Sequence, residues 1–234
     1  MFRYVLTLTL IVASGLSAAA DPVTDAMQAA YAPYRAALFK TNGASQAEAQ
    51  QAISQAQQSW RSLSERFGGK PPAPYDRDAG FGESLAGVTR IYDTAATEIA
   101  RNDLAAAHET LEAARETLAE LRQRNNVVVF SDHMNAYHAQ METVLGKGSA
   151  LAATADGRFE LGLQAGALDY LATRLSAETP ANLRANTDFQ SLLGAVQTSV
   201  RALKDALRTQ DAARIQAALT QLKAPYSKLF VRFG

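Results

Sequence analysis

Apolar residues recur at three- and four-residue intervals along nearly the whole chain, the spacing that gathers side chains on one face of an α-helix. Between Asp103 and Arg124 the stripe is Leu104, Ala107, Leu111, Ala114, Leu118 and Leu121, with Glu109, Glu112, Glu116, Glu120 and Arg122 mostly elsewhere. Trp60, Leu63 and Phe67 form a similar ridge. Alternating β-branched runs are nearly absent, Val127–Val129 being the one strand-like stretch. The pattern predicts an all-α chain with helices over Thr24–Lys40, Ser45–Phe67, Phe81–Ala100, Asp103–Arg124, Ser131–Leu145, Arg158–Ala177, Asp188–Arg208 and Asp211–Phe233.

Local chemistry supports the breaks. Thr24, Ser45, Ser131 and Asp188 can each accept an orphan backbone N–H at a helix start. Asn42-Gly43, Gly68-Gly69 and Asp156-Gly157 suit the turns where helices stop. Pro71, Pro72 and Pro74 cannot continue a helix, and Pro180 marks a second long connection. Gly146-Lys147-Gly148-Ser149 reads as a helix terminus and linker, since it lacks the upstream glycine spacing of a phosphate loop. The short links at Arg101–Asp103 and Thr209–Asp211 require antiparallel helix pairs.

The helix order is written twice. Val23–Lys40 aligns with Phe130–Lys147 at a spacing of 107, with Asp25/Asp132, Met27/Met134, Ala29/Ala136, Ala32/Ala139, Leu38/Leu145 and Lys40/Lys147 identical. Phe81–Asn125 aligns with Phe189–Phe233 at a spacing of 108, pairing Phe81/Phe189, Leu85/Leu193, Val88/Val196, Leu111/Leu219 and Leu121/Leu229. Preserved order at near-equal offsets predicts two tandem up-down-up-down four-helix bundles arising by duplication, residues 21–126 and 127–234.

Residues 1–20 have a basic start at Arg3, an apolar stretch from Tyr4 to Leu16, and Ala18-Ala19-Ala20 before Asp21. That layout predicts a cleaved secretory signal and a periplasmic protein. Loss of Arg3 leaves 22 Lys+Arg against 23 Asp+Glu, so nothing marks a nucleic-acid or anionic-lipid partner. The chain has no cysteine, which excludes disulfides, thiolate metal sites and covalent haem attachment. No later segment is apolar enough to predict a membrane span.

Thr24-Asp25-Ala26-Met27 and Ser131-Asp132-His133-Met134, with Gln216–Lys223 and Tyr226, resemble the soluble b-type cytochromes of bacterial periplasms, four-helix bundles of this unit size. In that family a methionine near the start of the first helix and a histidine in the last helix ligate haem. The resemblance therefore implies Met27 and Met134 as cofactor-binding residues. The last-helix histidine has no counterpart, since Ala119 and Ser227 stand there.

Chemistry-bearing side chains are few: three histidines, four methionines and no cysteine. At about 100° per residue, Met134, His138, Met141 and Leu145 fall within roughly 60° on one helix. Thioether sulfur and imidazole suit Cu(I), so Met134, His138 and Met141 form a candidate copper set, which Asp132, Glu142 or His108 from elsewhere could complete. The same residues also fit a buried stripe, because methionine commonly fills irregular core space. His133, about 140° from His138, is a weaker candidate and suits a solvated helix start. His108 and Glu112 at i, i+4 allow a ligand or acid–base pair, or a structural one. The acidic series with Arg115 and Arg122 lacks the Glu-x-x-His partners of di-metal sites and reads as a solvated face.

These features point to a non-enzymatic, transition-metal-binding protein, with copper as the metal and the second bundle as its site. A haem-binding protein and a cofactor-free helical interaction or stress module are the alternatives. Either a metal ion or small cofactor, or another periplasmic protein, would be the partner.

Overall fold

The computed structural model describes residues 21–43 and 45–234, and the chain is all-α, with no strand among the described residues. The expected leader, 1–20, lies outside the described residues. The helices are α1 (Pro22–Thr41), α2 (Gln46–Phe67), α3 (Phe81–Ala100), α4 (Leu104–Arg124), α5 (Phe130–Ala152), α6 (Ala155–Ala177), α7 (Ala181–Arg184), α8 (Thr187–Thr209), α9 (Ala212–Thr220) and α10 (Lys223–Phe233). None is long and apolar enough to cross a membrane.

Caps explain most of the starts. Ser45 and Glu48 form a reciprocal capping box, and Asp103 accepts Ala106 N–H at 3.1 Å. Asp21, not Thr24, caps α1 by accepting Thr24 N–H at 3.0 Å, with Pro22 in the first turn, where its missing N–H costs nothing. Asn186, not Asp188, caps α8, and neither is Ser131 a cap: α5 begins at Phe130, and Asp132 accepts Val129 N–H at 3.0 Å. The chain turns through left-handed residues at Asn102 and Gln210, which stand 108 positions apart like the helices they join.

Further expectations need correction, and Asp156-Gly157 is one, lying in the first turn of α6 and not in a turn where a helix stops. Gly146–Ser149 is not a linker, for α5 runs on to Ala152. Position 148 is glycine within this helix because α9 passes so close that a Cβ there would lie 2.7 Å from the Leu219 side chain. The final helix is split in two. Pro225 lacks the N–H that would bond back to Gln221, so the ladder breaks there, yet Gln221 and Leu222 keep right-handed helical torsions.

Helices α1 to α4 pack in succession, and α1 also packs against α4; α5, α6, α8 and the α9–α10 pair form a second such ring. Residues paired by the two offsets are buried in both halves, among them Met27/Met134, Tyr34/Met141, Phe81/Phe189, Val88/Val196, Leu111/Leu219 and Leu121/Leu229. The halves meet where α1 and α4 face α5 and α10. Arg122 of α4, expected on a polar face, is only 2% exposed and forms a forked ion pair with Asp132 of α5. Tyr31 donates to Asn135 across the same seam at 3.4 Å.

Candidate functional site

A small pocket of about 70 Å³ lies in this seam. Helical spacing builds each wall. His108, Glu112 and Arg115 share one face of α4 at i, i+4 and i+7, and Lys223, Tyr226, Ser227 and Phe230 share one face of α10. His138 and Met141 come from α5, while Leu38, Phe39 and Asn42 come from the end of α1.

A continuous polar chain runs along the pocket. His108 Nδ1 lies 3.0 Å from the Leu38 carbonyl and 3.2 Å from Thr41 Oγ1, which itself donates to Leu38 O. Nδ1 is therefore a donor, and Nε2 lies 3.7 Å from Glu112 Oε1. Glu112 pairs closely with Arg115, and Arg115 Nη1 donates to His138 Nδ1 at 2.6 Å. Because a guanidinium only donates, His138 Nδ1 must accept and its proton must sit on Nε2. That Nε2–H faces Glu142 Oε1 at 3.4 Å, and Lys223 Nζ approaches the same oxygen at 3.2 Å.

The His138 ring stacks on Tyr226, with centroids 5.3 Å apart and planes 8° from parallel. Burial, followed by the neighbouring Arg115 charge, pushes the His138 pKa down to about 4, and Glu142 only partly opposes them. Burial also works against the charge on Arg115, but Glu112, with Tyr34 and Tyr31, more than restores it. Burial raises the Tyr226 hydroxyl well above its usual range, and that hydroxyl donates to the Met134 carbonyl at 3.1 Å. The result is a neutral imidazole held between a fixed cation and a carboxylate.

The sequence candidates divide accordingly. His108, His138 and Met141 come together at the pocket from two helices. Met134 is fully buried beside them in sequence without lining the pocket, and Met27, 2% exposed, sits in the core of the first half. His133 is half-buried near the start of α5 and is not among the lining residues, and Asp132 is occupied by Arg122. Glu109, Glu116 and Glu120 are solvated as expected, whereas Glu112 and Arg115 are half-buried in the seam. Arg115, Lys223 and Tyr226 were not legible as site residues, although Arg115 stands at i+7 from His108 on the same face.

Among the described residues no three histidine, aspartate or glutamate side chains converge as a metal-holding group. Comparison with protein-family models, with curated proteins and with solved structures gives no match.

Proposed function

We propose that this is a non-enzymatic binding protein of the periplasm whose seam pocket takes a single Cu(I) ion. The observation that carries the reading is that His108 of α4 and His138 and Met141 of α5 line one pocket between the halves. Thioether and imidazole are the soft donors Cu(I) accepts, and hard cations would want the oxygen cluster that is lacking among the described residues. His108 adds a further sign: its Nδ1–H is anchored on a backbone carbonyl, the outer-shell contact that orients a ligating Nε2. His138 Nδ1 can join only if Arg115 lets go, since the arginine occupies its lone pair. Met141 and His108 are thus the primary donors and His138 the exchangeable one.

Haem has less support. The pocket is far below the roughly 300–1,000 Å³ of cofactor-sized sites, and neither Met27 nor Met134 lines it. Ser227, at the position of the family's haem histidine, does line it, but offers only a hydroxyl.

Competition against a chromogenic Cu(I) chelator tests the proposal. One equivalent should bind the wild type, with Met141→Leu and His108→Gln each weakening binding at least tenfold. Wild-type affinity retained in the Met141→Leu/His108→Gln double variant would refute the site.

A further inference from the structure

Helix α1 ends on the one Asn-Gly pair in the chain. Asn42 donates its backbone N–H to the Phe39 carbonyl at 3.1 Å, and Gly43 then turns away with φ at +104°, a torsion that glycine takes without steric cost. Both residues are exposed. A Cβ at Gly43 would meet nothing within 4 Å, and among the described residues neither the Gly43 N–H nor the Asn42 side-chain amide has a hydrogen-bond partner. The other asparagines are held. After Asn102, Asn125, Asn126 and Asn182 the next N–H donates to the carbonyl of Glu98, Gln123, Arg122 and Pro180 respectively. Asn135 lies inside α5, and Asn186 Oδ1 accepts the Phe189 N–H as the cap of α8.

We infer that Asn42 is a site of spontaneous modification, converting to aspartate or isoaspartate and so placing a carboxylate on the seam pocket that it lines. The Gly43 nitrogen attacks Asn42 Cγ and gives its proton to water; the new N–Cγ bond closes a cyclic imide, and Nδ2 leaves as ammonia. Water then opens the imide at either carbonyl. The balance is amide plus water to acid plus ammonia, with no oxidant or cofactor. Attack requires rotation about Asn42 ψ, which stands at 55°, and no bond from Gly43 resists it. The product changes the pocket's charge. Arg115 and Lys223 line it against the single carboxylate of Glu112, and a second carboxylate at position 42 evens the count. A cation there is then held more tightly.

Peptide mapping of the purified protein during storage at neutral pH reads the exchange of amide for acid as a small mass gain. Asn42 should convert at least tenfold faster than any other asparagine. Asn42→Gln, whose longer side chain closes the ring far more slowly, should keep its amide. Conversion of Asn42 no faster than that of Asn102 or Asn126 would overturn the inference. The effect on the pocket rests on the copper reading and is measured separately: Asn42→Asp should bind Cu(I) roughly fivefold more tightly than Asn42→Gln. Equal affinities would overturn that effect. Failure of both variants and the wild type to bind Cu(I) would refute the copper site and leave the mapping result standing.

Discussion

The two halves differ most at the layer where they meet. In the first, Tyr31 and Tyr34 of α1 fill that layer, their ring centroids 5.0 Å apart, and Tyr34 stacks on Tyr92 at 6.2 Å. In the second, the positions 107 residues later are His138 and Met141, and beside them lies the pocket. Met141 gives up aromatic bulk, and His138 brings a ring that needs polar partners on both nitrogens. Burial patterns that repeat at most paired core positions therefore produce one aromatic layer and one charged one. The halves thus differ here by a few residues at a corresponding face rather than by a change of fold.

The strongest way to break the comparison is at Arg122. Its counterpart in the second half is Phe230, an apolar residue in a like core position. Arg122 is nearly fully buried and its charge is paired with Asp132. Asp132→Ala strands that cation and should cost about 3–5 kcal/mol by urea denaturation. Arg122→Met/Asp132→Ala, which makes the first half resemble the second, should recover most of the loss. If the single and double variants are equally unstable, the seam is not held by this pair.

The second test uses pH. His138 titrates near 6.5 in the unfolded chain and at about 4 in the folded one. Above pH 6.5 the ring is neutral in both states. Between about 6.5 and 4 the unfolded chain binds a proton that the folded chain refuses, so stability falls as pH falls and levels off below 4. The loss is at most on the order of 3 kcal/mol. Glu112 and Arg115 from α4, Glu142 from α5, and Lys223 with Tyr226 from α10 surround the ring and set this behaviour. His138→Tyr, which installs the first half's residue, should flatten this part of the profile. Urea midpoints at pH 7 and pH 4.5 for both proteins measure it, and equal slopes would show that His138 is not the sensor.

Much of this was readable from periodicity. The stripe at Leu104, Leu111 and Leu118, and the N-cap at Ser45, fix helices because the responsible forces act within one or two turns. Gly148 misled because a glycine stops a helix in isolation, whereas here the constraint is the distant Leu219 side chain. Pro225 breaks a ladder whose backbone course hardly changes, so an apolar stripe read alone passes over it. His138 and Met141 were visible because both lie on one face of α5. Arg115 was not separable from the solvated charges around it, since a charged helix face reads alike whether it meets water or another helix layer. Met134 shares the phase of Met141 but lies beyond the pocket's reach, and phase alone does not say how far along a helix a pocket extends.

The smallest effects compare two buried tyrosine hydroxyls. Tyr34, on α1, donates to the Leu111 carbonyl of α4 at 3.1 Å. Tyr137, at the position of Ala30, is equally buried, stacks on Tyr226 with centroids 5.2 Å apart, and leaves its hydroxyl without a hydrogen-bond partner. Burial raises its pKa, so it stays a neutral phenol whose O–H was stripped of water with no return. Removing an unpaired buried hydroxyl should help, and removing a paired one should hurt. The Leu111 carbonyl lies within the α4 ladder, so losing Tyr34 does not orphan it and the penalty stays near the low end. Tyr34→Phe is therefore expected to destabilise by about 1 kcal/mol and Tyr137→Phe to stabilise by about the same. Paired urea midpoints resolve the signs. A destabilised Tyr137→Phe would mean that its hydroxyl has a partner in solution, a bound water or a ligand atom, and would draw the second half's polar layer one turn deeper into α5.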